Sequence, residues 1–288
     1  MKLIKPNFSI LDDTDYNIES IYKRIELVGR CSHKSEDRIT EDSSKEFVDR
    51  MIKLGHGAVL EHGSIYLSLD MTSREQYFKY CYNKFSKANS IGSAEYSTWK
   101  GFVTTNLRVL VENGWMDDLQ YLCEPTEYHE KRVCVKFICD RGVSHEFVRH
   151  RHFSFMQEST RYCNYSKNKF SNELTFIKPC FLDEEKLALY GPYHTVIRDK
   201  SPESIFIANL NNSEKDYLDL IESGWNPQQA RAVLPNALKT ELYMTGFISD
   251  WKGFFELRSN KYGRGGAHPQ ADELATPLYE EFKRRGYI

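Results

Sequence analysis

The sequence predicts an α+β fold, a single mixed domain with an antiparallel-type sheet flanked by long helices. Three observations carry that prediction. Two segments alternate apolar and polar residues with a period of two, several later segments carry helix caps with apolar residues three or four apart, and the two kinds are grouped. Strands are mixed with helices early and give way mostly to helix later, without the regular alternation of a doubly wound sheet.

In chain order, Ile65, Leu67 and Leu69 alternate with Tyr66, Ser68 and Asp70, which reads as a strand with one buried face. Thr72 followed by Glu75 has the form of a capping box and predicts a helix to about Lys87. Val133, Val135 and Phe137 repeat the strand pattern. Ser144, after the Asp140-Arg141-Gly142 turn, reads as the N-cap of a helix carrying His145 to about Phe153. Ser204 to Glu222 is helical in pattern and closes at Gly224, and Asn226 with Pro227 then forms a cap and first-turn proline. Leu238, Leu242, Thr245, Ile248 and Trp251 keep a three-to-four spacing that predicts one long helix from about Pro235 to Leu257, and a last helix follows His268. The Gly263 to Gly266 stretch reads as a connector, since no strand precedes it as a phosphate cradle requires. No repeat divides the chain, so residues 1–288 are expected to form one domain.

With 40% hydrophobic and 28% charged residues the chain has a core to bury and is not disordered. Its net charge of −2 supplies no global field for nucleic acid or anionic lipid, so a bound anion must be met by a local cluster. No stretch approaches the roughly 18 to 20 apolar residues of a membrane helix, and Met1 to Asn7 leads into no apolar signal region. The seven cysteines are scattered and include no Cys-x-x-Cys, which fits reduced thiols in the cytoplasm and gives no support to a zinc ribbon.

The local cluster lies between Ser144 and Tyr165. Arg149, Arg151 and Arg161 stand there with His145, His150 and His152, beside Ser159, Thr160 and the rings of Phe147, Phe153 and Phe155. Guanidinium forks with hydroxyl donors are what a phosphate monoester needs. The same run would also serve as the wet face of an amphipathic helix, or as a phosphate-and-base surface for a nucleic-acid polymer. Against the polymer stand the overall charge and the neighbouring Glu146 and Glu158. His145-Glu146 with His150 resembles a zinc-protease pattern, but at about 100° per residue a five-residue step turns the second imidazole roughly 140° from the first.

Arg149-His150-Arg151, seven residues and then Ser159 match the Arg-His-Arg-x7-Ser signature of the flavin-dependent thymidylate synthases. His56-Gly57-Ala58-Val59-Leu60-Glu61-His62 resembles that family's His-x-x-x-x-Glu-His segment, and Arg231-Ala232-Val233-Leu234-Pro235 its Ala-Arg-x-Val-Leu-Pro segment. Phe254 to Arg258, with His268 and Gln270 beyond a loop, resembles its C-terminal arginine and His-x-Gln block. Four segments in the family's order, from His56 to the C-terminus, identify the chain as a member.

The resemblance implies the flavin-dependent thymidylate synthase fold over 1–288, with an inserted segment at about 72–130. It implies reductive methylation of dUMP to dTMP, with carbon from 5,10-methylenetetrahydrofolate and hydride from FAD reduced by NADPH. It also implies a homotetramer with shared sites. His56, Glu61, Arg149, His150, Arg151 and Gln157 would contact FAD. Glu146, Arg149, Gln157, Ser159, Thr160, Arg161, Arg231 and Arg258 would bind the nucleotide, with Arg258 catalytic at the uracil edge and no metal. Cys163 is the tempting nucleophile, but the implied hydride route needs none. The chain departs from the family at Ala58, in an apparent exchange of Glu and Gln between positions 146 and 157, and at Phe247 and Gly253, where asparagines usually face the flavin.

Overall fold

The computed structural model describes all residues but 13, 14, 94, 96 and 191–199. The chain opens with β1 (Lys2–Ile4), β2 (Asn7–Leu11), α1 (Ile18–Arg30), α2 (Ser43–Lys53), α3 (Gly57–Leu60) and β3 (Ser64–Leu69). There follow α4 (Arg74–Cys81), β4 (Lys87–Ile91), β5 (Lys100–Asn106), α5 (Leu107–Asn113), β6 (Arg132–Asp140), α6 (Arg141–Phe147) and β7 (Ser154–Gln157). The remaining elements are β8 (Thr175–Ile177), α7 (Glu184–Tyr190), α8 (Pro202–Glu222), α9 (Pro227–Ala230), β9 (Lys239–Phe247), α10 (Ile248–Arg258) and α11 (Pro269–Arg284).

Two antiparallel sheets organise these elements, one ordered β2-β6-β9-β7 and the other β3-β5-β4, while β1 and β8 form a short parallel pair. The α+β class with antiparallel sheets and flanking helices is therefore as the sequence predicts. On one face of the larger sheet Val133, Val135, Phe137, Leu242 and Met244 meet Phe147, Trp251, Phe254 and Phe282 of α6, α10 and α11. The buried Trp251 donates its indole N–H to the Val133 carbonyl at 3.2 Å, so the largest core side chain also satisfies its polar atom. The smaller sheet packs Ile65, Leu67 and Val103 against Ile21, Ile25, Phe47 and Val48 of α1 and α2.

Three element predictions need correction. The long helix from Pro235 is in fact β9 followed by α10. Leu242 and Met244 face the core beneath α10 while Tyr243 packs with Val28, Cys31 and Cys134 on the other face, so burial on both sides erases the period of two. The helix assigned to Ser144–Phe153 begins at Arg141 and ends at Phe147, because Asp140 is the cap: its carboxylate accepts the Val143 N–H at 2.6 Å. Ser144 lies inside that helix and donates to the Arg141 carbonyl at 2.9 Å. The helix expected to run to Lys87 stops at Cys81 and is entered through Asp70, whose side chain accepts from the Thr72 N–H at 2.9 Å; Lys87 begins a strand. The caps read at Asn226 and Pro227, and the helices at 204–222 and after His268, stand where the sequence puts them.

Candidate functional site

Because α6 ends at Phe147, Arg149-His150-Arg151 lies in consecutive turns and not on a helix. The His150 N–H donates to the Phe147 carbonyl at 3.1 Å and the Phe153 N–H to the His150 carbonyl at 3.1 Å. The helical rotation argument between His145 and His150 therefore does not apply. His150 is instead engaged by Arg258, the last residue of α10, whose Nε donates to its Nε2 at 3.1 Å. The same guanidinium donates to the Glu146 carboxylate at 2.5 Å and to the Glu146 carbonyl at 2.9 Å. Burial, and then the Arg258 charge, lower His150 to about 4. The ring is accordingly neutral at pH 7, accepting at Nε2 and carrying its proton on Nδ1. Arg149 stands close enough to act electrostatically on Arg258.

Ser159, Thr160, Arg161 and Arg231 form a second group. The Ser159 N–H donates to the Ser32 carbonyl at 3.1 Å, and its own carbonyl accepts from the N–H groups of Tyr162 and Cys163. Its hydroxyl accepts the Arg161 N–H at 3.3 Å, so Ser159 closes its own turn. Arg231 reaches the buried Thr160 hydroxyl at 3.4 Å. The Arg161 guanidinium lies over the Tyr162 ring, which stacks on His33 with centroids 4.2 Å apart. Burial, and then the charges of Lys169 and His56, lower His33, so His56 lies within electrostatic reach of it. Ser32 and His33 are site neighbours that no motif in the sequence marks.

Behind this loop is a buried ionic network. The Glu158 carboxylate accepts from the Tyr165 hydroxyl at 3.0 Å and from Lys239 at 2.9 Å. Lys239 also meets Glu241 at 2.7 Å, and Glu241 is met again by Lys34 at 3.0 Å and by Lys136 at 2.6 Å. Cys31, Glu36 and Glu241 converge as metal ligands would, but the ammonium of Lys34 already bridges the two carboxylates. Cys163 is fully buried, and burial and then Glu158 push its thiol up to about 12, so it keeps its proton and is a poor nucleophile.

Gln157, on β7, ties that strand to α6 and β9. Its amide nitrogen donates to Ser144 of α6 at 2.9 Å and to Thr240 of β9 at 3.2 Å. Nearby, Glu146, Asp140, Asn236, His268 and Gln270 line a cavity of about 260 Å³, and Gln270 holds Asp140 at 2.6 Å.

Glu61 and His62 do not pair with one another. His62 is buried against the Thr245 hydroxyl at 2.8 Å, and burial followed by the charge of Arg132 lowers it to about 3, keeping it neutral. The Glu61 carboxylate goes to Arg108 at 2.6 Å, and its carbonyl accepts from the buried Arg132 at 2.8 Å. Phe247 sits against the charges of Arg132 and Lys87, each 5.6 Å from its ring centre. Among the described residues no hydrogen bond or ion pair joins Glu61 to Arg149, Arg151 or Arg258. His56 is exposed at the start of α3.

The thymidylate synthase complementing protein model matches residues 75–285. A flavin-dependent thymidylate synthase from Corynebacterium glutamicum is 33% identical over 128 residues, 42% of this chain and 47% of that one. Another, from Corynebacterium diphtheriae, is 28% identical over 206 residues, 71% of each chain. The match thus spans about half the length of the first relative and more of the second. A solved UMP/dUMP methylase, PolB from Streptomyces cacaoi bound with 5-Br dUMP, aligns over 99% of this chain and 93% of its own at 16% identity, with a TM-score of 0.44.

Proposed function

The chain belongs to the thymidylate synthase complementing protein family, that of the flavin-dependent thymidylate synthases, and from that premise we propose that it converts dUMP to dTMP with FAD as bound cofactor. In this reading 5,10-methylenetetrahydrofolate gives the carbon, NADPH the reducing equivalents, and a homotetramer assembles the sites. One observation supports it above the others. Among the described residues no ion pair holds Arg149, Arg151, Arg161 or Arg231 to a carboxylate, and although Arg38, Arg50, Arg74, Arg132 and Arg141 share that property, only these four lie in the Arg-His-Arg, Ser-Thr-Arg and Arg-x-Val-Leu-Pro segments, where Arg231 reaches the Thr160 hydroxyl. Guanidinium groups free of carboxylates, with Arg231 brought beside Thr160 from a distant segment, are a donor set suited to phosphate and pyrophosphate.

Ser159, Thr160, Arg161 and Arg231 bind the nucleotide phosphate, while Arg149, His150 and Arg151, with Gln157, His56 and Glu61, hold the flavin. Bound flavin supplies the hydride chemistry that no side chain offers. Glu146 fixes the Arg258 cation for the charge that develops at the uracil edge. Neutral His150 accepts from Arg258 and so adds no second positive charge there. Gln157 ties β7 to α6 and thereby sets the spacing of the two ligand groups.

The purified protein is expected to be yellow, to bleach with NADPH under anaerobic conditions, and to form dTMP from dUMP and methylenetetrahydrofolate. A colourless protein that FAD does not reconstitute would overturn the proposal. Light scattering is expected to give four subunit masses, and full activity at one subunit mass would remove the shared-site part.

The arginines are separable. Arg161→Ala is expected to weaken dUMP binding about ten- to a hundredfold, the cost of one charge-assisted contact of about 1.5 to 3 kcal/mol, with flavin content near that of the parent. Arg149→Ala is expected to lower both. Equal flavin loss in the two variants, measured by absorbance after desalting, contradicts the division. No described helix is long and apolar enough to cross a membrane.

A further inference from the structure

We propose that Arg108, supplied by the segment at 72–130, is a positioning residue for Glu61 and thereby for flavin binding. The proposal rests on the reading of Glu61 as a flavin-site residue. Three independent features build the contact. Arg108 Nη1 lies 2.6 Å from the Glu61 carboxylate, and its Nε lies 2.7 Å from Glu112, one turn further along α5, which fixes the direction of the side chain. The base of the side chain is fixed as well. Asn106 pairs with Ser64 across the β3–β5 ladder and caps α5 through the Val109 N–H, while the Leu107 N–H donates to the Gly63 carbonyl at 3.0 Å.

Gly57, the residue after His56, makes room for the guanidinium. A Cβ at Gly57 would stand 2.8 Å from Arg108 Nε and 3.2 Å from its Cδ, so the arginine passes directly over the first residue of α3 on its way to Glu61. Arg132 holds the Glu61 carbonyl from the other side, and Glu61 is thus gripped at main chain and side chain by two arginines. Glu61 and Arg108 together line a cavity of about 340 Å³ with Lys84, Asn106 and the exposed rings of Tyr82 and Phe85. The carboxylate is therefore presented to a space open to a ligand. A carboxylate beside a cofactor carrying two phosphates repels it unless neutralised and aimed. Arg108 does both.

The test compares the parent protein with Arg108→Ala, Arg108→Lys and Gly57→Ala, reading the FAD dissociation constant by flavin fluorescence, KM for dUMP, and the melting temperature. Gly57→Ala keeps every charge and displaces only the arginine, so it stands in if Arg108→Ala fails to fold. Arg108→Ala is expected to raise the FAD dissociation constant about tenfold, the scale of one charge-assisted contact, with KM for dUMP within about twofold of the parent's. Gly57→Ala should move it in the same direction by less, and Arg108→Lys should recover part of the loss. An unchanged FAD affinity in Arg108→Ala or Gly57→Ala overturns the assignment. So does a loss of FAD and dUMP affinity in parallel with melting temperature, which marks a scaffold role. A parent protein that binds no FAD would defeat the functional reading itself, and this proposal with it.

Discussion

Arg258→Ala is expected to lower kcat by about 10²- to 10³-fold, the range for removing one preorganised donor to developing negative charge. The reason lies in how the side chain is held. Its three nitrogens are spent on the Glu146 carboxylate, the Glu146 carbonyl and His150, so its position is fixed before any ligand arrives. A lysine has no planar fork with which to repeat these contacts, and Arg258→Lys is expected to recover little. The variant also changes the pH profile. Burial and then Arg258 hold His150 at about 4, so its protonation affects the parent only near that pH. Without the neighbouring cation the midpoint moves up, while burial, the larger cause, still keeps it below the ordinary histidine value. The acid limb of kcat/KM moves up with it. Parent-like kcat in Arg258→Ala would remove this residue from the chemistry.

The largest effect on stability is expected at Glu241. Burial acts to raise its carboxyl, but Lys239 and Lys34, with Lys136, outweigh burial and hold it at about 2 against an ordinary 4.5. Glu241→Ala leaves Lys136 with no carboxylate and Lys34 and Lys239 with only Glu36 and Glu158, and breaking a buried pair costs on the order of 3 to 5 kcal/mol, an upper bound here because two of the three lysines keep a partner. The sign with pH follows from the lowered value. The unfolded chain takes up its proton near 4.5 and the folded chain only near 2. The contribution is therefore complete above 4.5 and is lost as pH falls from there toward 2. Urea unfolding at pH 7 and at pH 3 should show a gap between parent and variant that narrows at the lower pH. A gap of equal size at both would place the stabilisation elsewhere.

Much of this was legible in the sequence where a single chain segment carries the whole signal. The alternation in β3 and β6, the caps of α8 and α9, and the Arg-His-Arg-x7-Ser spacing each depend on neighbours in sequence. β9 was illegible because both of its faces are buried, Leu242 and Met244 on one side and Tyr243 on the other, which leaves an apolar run whose spacing imitates a helix. The start of α6 was misplaced because Asp140 and Ser144 are both good caps, and only the hydrogen bond to Val143 decides between them. In the site, the motif arginines could be named. Their partners could not, since Arg258 meets Glu146 across 112 positions and Arg108 meets Glu61 across 47. Pairings of that kind are made by the packing of whole elements, and no local pattern announces them.

The pairing of β6 with β9 also governs how the chain reaches its folded state. The β3-β5-β4 sheet joins residues between 64 and 106, so its loops are short and close early. The larger sheet must bring 132–140 against 239–247, and until it does the row Val133, Val135, Phe137 has no partner strand on that edge. Such long-range antiparallel pairing is slow and leaves an apolar strand open to other chains. During synthesis β6 emerges about a hundred residues before β9, a delay of roughly 5 to 20 seconds at ordinary elongation rates. Nascent chains held at that stage expose the surface on which α10 and α11 later rest, so crowding and temperature act on yield through this interval as well as through the stability of the finished protein.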